Sequence, residues 1–292
     1  MTRKNRRILP AACAALAAAA AATAQTRYPH CQIVDRLAEP LALAEMGYVT
    51  REDLGSGEGD LGFVEERAGA HLGFALAGPM ELDLAAALNL WIAVGDEQIE
   101  TPGTLGQVFV RGRMDVRTAR GFTLRLEGQP GFYGEIDAWG SGAFFIPFGL
   151  SGIHAVNDAL SLQIGMTVYP DFDRLVDPVV GMRAALGSRA WLDLFYPESR
   201  LVWQAGSSFS LLAGLAFNKA LEFDLGDDPR DRFRLEDTRA YVGGDVRMTE
   251  SLQLALRAGI AFDRRIEWDG LEPDGREPDS GFFASAGLAG AW

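Results

Sequence analysis

Long stretches of this chain alternate between apolar and polar residues with a period of two. In Met80–Val94 every even-numbered position is apolar, while the odd-numbered positions include Glu81, Asp83 and Asn89. The same alternation returns at 106–118, 122–127, 160–169, 239–248 and 252–263. Alternation of this kind is typical of β-strands that have one apolar and one polar face.

Two architectures accommodate such strands, a soluble β-sandwich and a membrane β-barrel. Strands of soluble proteins average about 5–6 residues, whereas a tilted membrane strand needs about 9–11, and Met80–Val94 is longer than either. The polar faces also carry charges, including Arg111, Arg113 and Arg125, which suit a wet barrel lumen better than the outside of a sandwich. The sequence therefore predicts an all-β fold, an antiparallel transmembrane β-barrel.

The connections between the alternating stretches are short and long in turn. The short ones are 77–79, 118–121, 187–189, 205–208 and 248–251. The long or acidic ones are 56–60, 95–104, 171–178, 219–238 and 264–280. Outer-membrane barrels have short periplasmic turns and longer outer loops. This rhythm predicts about fourteen strands, with twelve as the close alternative, and both termini in the periplasm.

The chain ends in GFFASAGLAGAW, residues 281–292, which alternates apolar side chains and closes on an aromatic residue. Phe282, Leu288 and Trp292 share one face of this predicted strand. The ending resembles the terminal strand of bacterial outer-membrane barrels. The resemblance implies that these three residues form an assembly signal read by the outer-membrane barrel assembly machinery.

From about Leu61 to Trp292 the chain is similar to an uncharacterised outer-membrane barrel family of Gram-negative-type bacteria, known only as a domain of unknown function. The similar stretches are YPDFDRL (169–175), DPVVGMR (177–183), LDLFYPESRL (192–201), RAYVGGDVRM (239–248) and AGIAFDRRIEW (258–268). The resemblance implies the barrel fold and a place in the outer membrane, and it implies no activity.

The first 24 residues have the features of a secretory signal peptide. Four basic residues precede an Ala-rich apolar run that ends in the small-x-small triplet Ala22-Thr23-Ala24. We therefore expect cleavage after Ala24 and Sec-type export to the bacterial outer membrane. Residues 25–60 are predicted as an N-terminal periplasmic segment, in which 43–53 is a candidate first strand and 31–44 a candidate helix. Residues 61–292 are predicted as the barrel.

The composition of the chain limits the kinds of partner and metal ion that it is expected to bind. The net charge of −13 gives the chain little attraction to a phosphate backbone, so no nucleic-acid partner is expected. Cys31 would be the one cysteine of the exported chain, which leaves no internal disulfide and argues against a zinc site. The acidic residues of 224–237 lack the spacing of a calcium loop. We predict no metal and no cofactor, and we expect outer-membrane lipid and small solutes as partners.

One cluster raises the alternative of an enzyme. His154, Asn157 and Ser161 lie close together in the sequence, and a serine, a histidine and an orienting polar residue are the components of a nucleophilic hydrolase site. However, His154 and Asn157 fall in a predicted periplasmic turn, while Ser161 lies on the polar face of its strand. A solvated turn is the favoured interpretation, and the chain is predicted not to be an enzyme.

The predicted lumen carries a wall of charged residues. Its candidates are Arg111, Arg113, Arg117, Arg125, Glu81, Asp83, Asp115 and Glu127. A ring of uncompensated arginines would bias the ion selectivity of a pore, whereas pairing with the carboxylates would give a narrow, neutralised interior, which is the favoured alternative. The function hypothesis is an outer-membrane barrel of unspecified role, a small-solute pore in its most specific form. A membrane-embedded lipid-modifying enzyme and a non-conducting surface scaffold or adhesion barrel remain alternatives.

Overall fold

A computed structural model describes residues 42–53, 60–76, 78–95, 104–118, 121–139, 141–170, 175–224, 232–268 and 278–290. No helix in this part of the chain is long and apolar enough to cross a membrane. The described residues form sixteen strands: β1 Ala42–Asp53, β2 Asp60–Ala75, β3 Met80–Gly95, β4 Thr104–Arg117, β5 Phe122–Gly128, β6 Gly131–Glu135, β7 Phe144–Phe145, β8 Phe148–Asn157, β9 Leu160–Val168, β10 Val176–Ala185, β11 Ala190–Phe195, β12 Glu198–Gln204, β13 Phe209–Asp224, β14 Arg232–Arg247, β15 Leu252–Trp268 and β16 Gly281–Gly290. Short 3-10 turns lie at Ile136–Ala138 and Ser141–Ala143.

The strands close into one antiparallel ring. β1 pairs with β16, with Ala42 opposite Gly290, and the ring closes on its other side where β12 pairs with β13. The predicted all-β antiparallel barrel is confirmed. The candidate first strand at 43–53 lies inside β1, so the ring begins at Ala42.

Two wall strands are each interrupted by a proline. β5 and β6 keep one register against β4, and β7 and β8 keep one register against β6 and β5. Pro130 and Pro147 stand at the two breaks, where proline lacks the N–H that a ladder requires. Their carbonyls still accept hydrogen bonds, from Val110 at 3.0 Å and from Gln129 at 2.8 Å. Each pair therefore counts as one strand, and the barrel has the fourteen strands that the sequence predicts.

The barrel has two different ends. At one end, which we call the turn end, connections of two to four residues join the strands, and both described chain ends lie there. Gly78, Gly121 and Gly187 have positive φ angles of 71°, 73° and 103° in these turns, a conformation that glycine adopts without a Cβ clash. At the other end, the loop end, most connections are longer.

The outer wall of the lower barrel, between the turn end and mid-height, is apolar. Its exposed side chains include Met46, Val110, Ile164, Val242 and Leu256. Phe282 and Leu288 of the predicted assembly signal also point outward, with 68% and 46% of their surface exposed. Trp292 and the predicted signal peptide lie outside the described residues. An apolar outside around a charged inside is what a hydrocarbon environment requires of a barrel.

Two predicted loops contain strand at their ends. β13 runs to Asp224 and β14 begins at Arg232, inside the predicted loop 219–238, and β15 runs to Trp268, inside the predicted loop 264–280. The cause is a set of bulges at one level of the wall, with an extra residue in β1 before Glu52, in β13 before Leu221 and in β15 near Asp263. A bulge adds one residue and so moves the inward face to the other parity, which hides the alternation in the sequence.

Above the bulges the tall strands bury a second interior, which we call the loop-end core. Its members are Leu61, Phe63, Trp91, Leu105, Phe223, Phe233, Leu235 and Ile266. Trp91 of β3 meets Phe223 of β13 edge to face at 5.1 Å between ring centroids, and Phe63 of β2 meets Phe233 of β14 at 6.4 Å. Opposite walls therefore touch at this end, and bulges, which bend strands, bring them together.

The barrel wall is uneven in height. β2, β3, β13 and β14 each have 16 residues, whereas β11 has 6 and β12 has 7. The connection between β11 and β12 is the two-residue turn Tyr196-Pro197 at the loop end. The wall is therefore lowest at this hairpin.

Candidate functional site

A cavity of about 990 Å³ occupies the lumen beside the low wall. It is lined from the turn end, by residues such as Gln204 and Gln253, to the loop-end tip of the low hairpin at Pro197 and Glu198. The cavity therefore runs the length of β12. β11 to β16, β1 and β2 contribute its walls.

A buried ion cluster closes the cavity below the loop-end core. Arg239 donates to Glu65 across the barrel, from Nη1 to Oε2 at 2.7 Å, and to Asp237, from Nε to Oδ2 at 2.9 Å. Asn218 donates from Nδ2 to the other oxygen of Asp237. The three charged side chains are almost fully buried, and the Arg239 guanidinium lies 5.3 Å from the Phe283 ring centroid. Buried charges need this degree of pairing.

Tyr241 narrows the cavity near the low hairpin. Its hydroxyl donates to Glu198 at the start of β12, and its ring lies over Gly214 of the intervening strand β13, where a Cβ would overlap the phenol. A glycine in a strand commonly marks such a close approach. The pair Gly214 and Tyr241 therefore ties the low hairpin to the tall wall.

Further ion pairs line the same lumen. Asp193 accepts from Arg183 at 2.5 Å and from Arg200 at 3.2 Å, and Asp245 pairs with Arg257 at 2.7 Å. Asp193 is almost fully buried, so its two arginines replace the water that it loses. The cavity wall mixes apolar side chains with charges of both signs, and the arrangement can hold a hydrated solute without presenting a single sign of charge.

The lumen charges predicted from the sequence lie on strands β3, β4 and β5. Arg113 donates from Nε to Asp83 at 3.0 Å, and Asp83 also contacts His71. Arg125 and Asp115 form a two-pronged pair with both distances 2.8 Å.

The other four candidates also lie on strands β3 to β5. Arg117 pairs with Glu81 at 2.7 Å. Arg111 occupies an inward position on β4 between Gln107 and Arg113, and Glu127 lies opposite Arg113 in the register of β5. At least six of the eight candidates thus stand in ion pairs with one another.

The charges that line the cavity are different ones. None of the eight candidates is among the described residues that line it; its charges are Glu45, Glu65, Arg67, Glu198, Arg200, Arg239, Asp245, Arg247 and Arg257. Their inward parity on β14 and β15 is visible in the sequence, where Arg239, Asp245 and Arg257 oppose apolar residues. The sequence gives no signal that these strands, rather than β3 to β5, surround the open space.

The residues of the candidate hydrolase cluster are not brought together. His154 lies on the exposed outer face, opposite Leu162, whereas Ser161 lies on the inner face, opposite Arg183. Asn157 accepts from the backbone N–H of Ala159 at 2.8 Å and so serves the turn. The wall separates the histidine from the serine, and this geometry provides no dyad.

A closed antiparallel ring with an even number of strands, an apolar outside and a charged inside is the architecture of bacterial outer-membrane barrels. This chain is an outer-membrane β-barrel protein. The orientation of its two ends and the assembly signal stay predictions.

No protein-family model and no curated protein matches the chain. Similar solved structures include the KdgM porin, with 10% identity and a TM-score of 0.39 over 86% of this chain and 99% of that chain. The NanC porin has 11% identity and a TM-score of 0.42 over 86% and 100% of the two chains. An outer-membrane channel from Pseudomonas putida F1 has 12% identity and a TM-score of 0.48 over 87% and 97%. Likenesses this distant say nothing about what this barrel carries, and membership of the uncharacterised family stays a prediction.

Proposed function

We propose that this barrel is a pore for small solutes and that their path is the cavity beside β12. The observation that carries the proposal is the continuous cavity from the turn end to Pro197 and Glu198 at the loop end, along which charged side chains stand among apolar ones. A barrel built only as a scaffold gains nothing from an unfilled lumen of about 990 Å³, because tight packing would stabilise it better. We further propose that the paired charges on β3 to β5 hold the opposite wall and do not select the solute.

Single-channel recording of the full exported chain in planar bilayers tests the pore. Ala216 lines the cavity, whereas Ala213 of the same strand is exposed on the outer wall. We expect conductance steps that Ala216→Trp reduces strongly and Ala213→Trp leaves unchanged. No conductance from the folded wild-type barrel would contradict the pore and favour the scaffold alternative.

We also propose that Phe282, Leu288 and Trp292 form the signal by which the assembly machinery receives the chain. The support is the outward direction of Phe282 and Leu288 on the closing strand β16. Removing Trp292 alone should lower the amount of heat-modifiable barrel in outer membranes more than a deletion within 97–100. Equal amounts of folded protein would contradict this role.

A further inference from the structure

The low wall is shorter than a membrane strand. β11 and β12 have 6 and 7 residues, whereas crossing the hydrocarbon layer takes about 9–11 residues in a tilted strand. The neighbouring strands continue past the hairpin. β13 pairs with Glu198 through Ala216 and runs on to Asp224, and β10 pairs with Phe195 through Gly181 and runs back to Val176.

The hairpin therefore leaves a gap in the described wall between β10 and β13. At the height of the hairpin three inter-strand spacings separate these two strands, about 14 Å in all at ~4.8 Å each; towards its end β13 leans across the barrel, where Asp224 pairs with Gly134 of β6. The rest of the loop end is filled by side chains: the loop-end core occupies the side of β2 to β4 and β13 to β15, and an inward cluster of Phe109, Tyr133, Phe145 and Tyr169 occupies the side of β4 to β9. The gap is where the cavity reaches the rim.

The outer surface beside the gap is apolar. Val180 and Val176 of β10 are exposed to 53% and 45%, and the backbone N–H of Tyr196 in the hairpin turn bonds to the carbonyl of Val180. Val176 thus stands four residues beyond the hairpin tip, still with an apolar side chain on the outer face. On the β10 side the apolar band of the barrel continues above the low hairpin, so this edge of the gap lies at the level of lipid.

The edges of the gap combine apolar and polar groups. Tyr196 stacks on Phe217 at 5.9 Å between ring centroids, while Glu198 and Tyr241 present a carboxylate and a hydroxyl to the cavity just inside. An opening with an apolar rim and polar groups just inside it fits a molecule that has one part of each kind.

We infer that the cavity opens sideways through the gap above β11 and β12 into the lipid layer on the loop side, and that the solutes it passes are small amphipathic molecules. This inference rests on the proposed pore. A polar head stays with the cavity lining while the apolar part passes the Tyr196 and Phe217 rim into hydrocarbon.

The level of the gap is tested by nitroxide labels on single cysteines, in a background with Cys31→Ser. Val176→Cys is compared with Ile164→Cys on the outer wall and with Arg265→Cys above the bulges, both of which are exposed. We expect the Val176→Cys label to resemble Ile164→Cys, with high accessibility to oxygen and low accessibility to a water-soluble nickel chelate. Nickel accessibility equal to that of Arg265→Cys would place the gap in water and overturn the lateral opening, whether or not the barrel conducts.

The solute class is tested by uptake of radiolabelled hexyl glucoside into proteoliposomes. Glu198→Trp fills the gap from inside, and Leu201→Trp of the same strand changes only the outer wall, where Leu201 is 43% exposed. We expect uptake to fall about tenfold in Glu198→Trp, equivalent to about 1.4 kcal/mol in the barrier, and to stay at the wild-type rate in Leu201→Trp.

The two proposals fail in different ways. A wild-type barrel that conducts ions but whose hexyl glucoside uptake is unaffected by Glu198→Trp overturns the lateral opening and leaves the pore standing. A wild-type barrel that neither conducts ions nor takes up hexyl glucoside overturns the pore itself and with it the solute class.

Discussion

The lower barrel lies below the bulges, and the part of the wall above them is here called the loop-end extension. The same strands run through both, but the lower barrel has a polar inside and an apolar outside, whereas the extension has an apolar inside and a polar outside. Below the bulges, β14 and β15 turn Asp245 and Arg257 inward and Val242 and Leu256 outward. Above the bulges, the same two strands bury Phe233 and Ile266 inside the loop-end core. Their outer face there carries the ion pair of Arg234 with Glu267 at 3.3 Å.

The difference shows that the solvent sets the polarity of a wall. A strand that faces lipid must show apolar groups outward, and a strand that has left the membrane can bury them inward like an ordinary soluble sheet. In β15 the bulge moves the inward face by one residue, whereas β14 keeps its odd-numbered residues inward and changes only their character, from Asp245 to Phe233. Predictions that separate the two regions follow, from the largest expected effect to the smallest.

Arg239 stands at the boundary of the two regions, and its loss should cost the most. Arg239→Met removes the closest cation from Glu65 and Asp237 and leaves Glu65 only the distant Arg67, at 3.9 Å; we expect the free energy of unfolding to fall by about 3–5 kcal/mol. Urea titration of the refolded barrel in lipid vesicles, followed by tryptophan fluorescence, measures it.

The matched control replaces all three partners by apolar residues, as Glu65→Leu, Asp237→Leu and Arg239→Met together. This variant should recover part of the lost stability, because the two buried carboxylates are removed together with their cation; the buried Arg264 beside them keeps its charge. A loss below about 1 kcal/mol in Arg239→Met alone would mean that water reaches the carboxylates and that the boundary between the regions is wet.

Two isoleucines of β15 compare the regions directly. Ile266 is fully buried in the loop-end core, and Ile260 is 46% exposed on the outer wall of the lower barrel. We expect Ile266→Ala to lower the free energy of unfolding by about 2–5 kcal/mol, since it leaves a cavity, and Ile260→Ala to cost about 1 kcal/mol or less. The same urea titration gives both values, and equal losses would show that the loop-end core is not a packed interior.

These regions differed in how well the sequence predicted them. In the lower barrel the period of two is unbroken along β3 and β4, and the tight turns carry glycines such as Gly78 and Gly187, so strand number and inward faces followed from the pattern. In the extension, the extra residues in β13 and β15 break the alternation, and strand was taken for loop. Bulges are tertiary features with no strong local signature.

The candidate site shows the same limit. The inward direction of Arg113 and Asp83 follows from alternation, and so does that of Arg239 and Asp245 on the far side. Which of them surround open space depends on where the wall is low, and that is fixed by the turn Tyr196-Pro197. The sequence around this hairpin contains no long loop and no run of turn residues. The position of the cavity could therefore not be predicted from the sequence.

Gly214 tests packing within the lower barrel. Gly214→Ala puts a methyl group where the Tyr241 ring lies, and we expect a loss of about 1–3 kcal/mol from overpacking. In a Tyr241→Ala background the same substitution should cost little, because the double-mutant cycle then has no ring to displace. Equal costs of Gly214→Ala in both backgrounds, measured by urea titration, would show that the ring does not lie over this glycine.

The smallest effect is expected near the turn end, where Arg117 pairs with Glu81 in a partly exposed position, the two side chains being 48% and 35% exposed. Water and salt screen such a pair, so Arg117→Gln should cost only about 0.2–1 kcal/mol, and 1 M salt should remove most of that difference. Arg239→Met, whose partners are almost fully buried, should keep its loss at high salt. Urea titrations of both variants at 0.1 M and 1 M salt measure the contrast. A salt-independent loss in Arg117→Gln would mean that the turn end of the lumen is as dry as the ion cluster beneath the loop-end core, and the solute path would then have no wet entrance at that end.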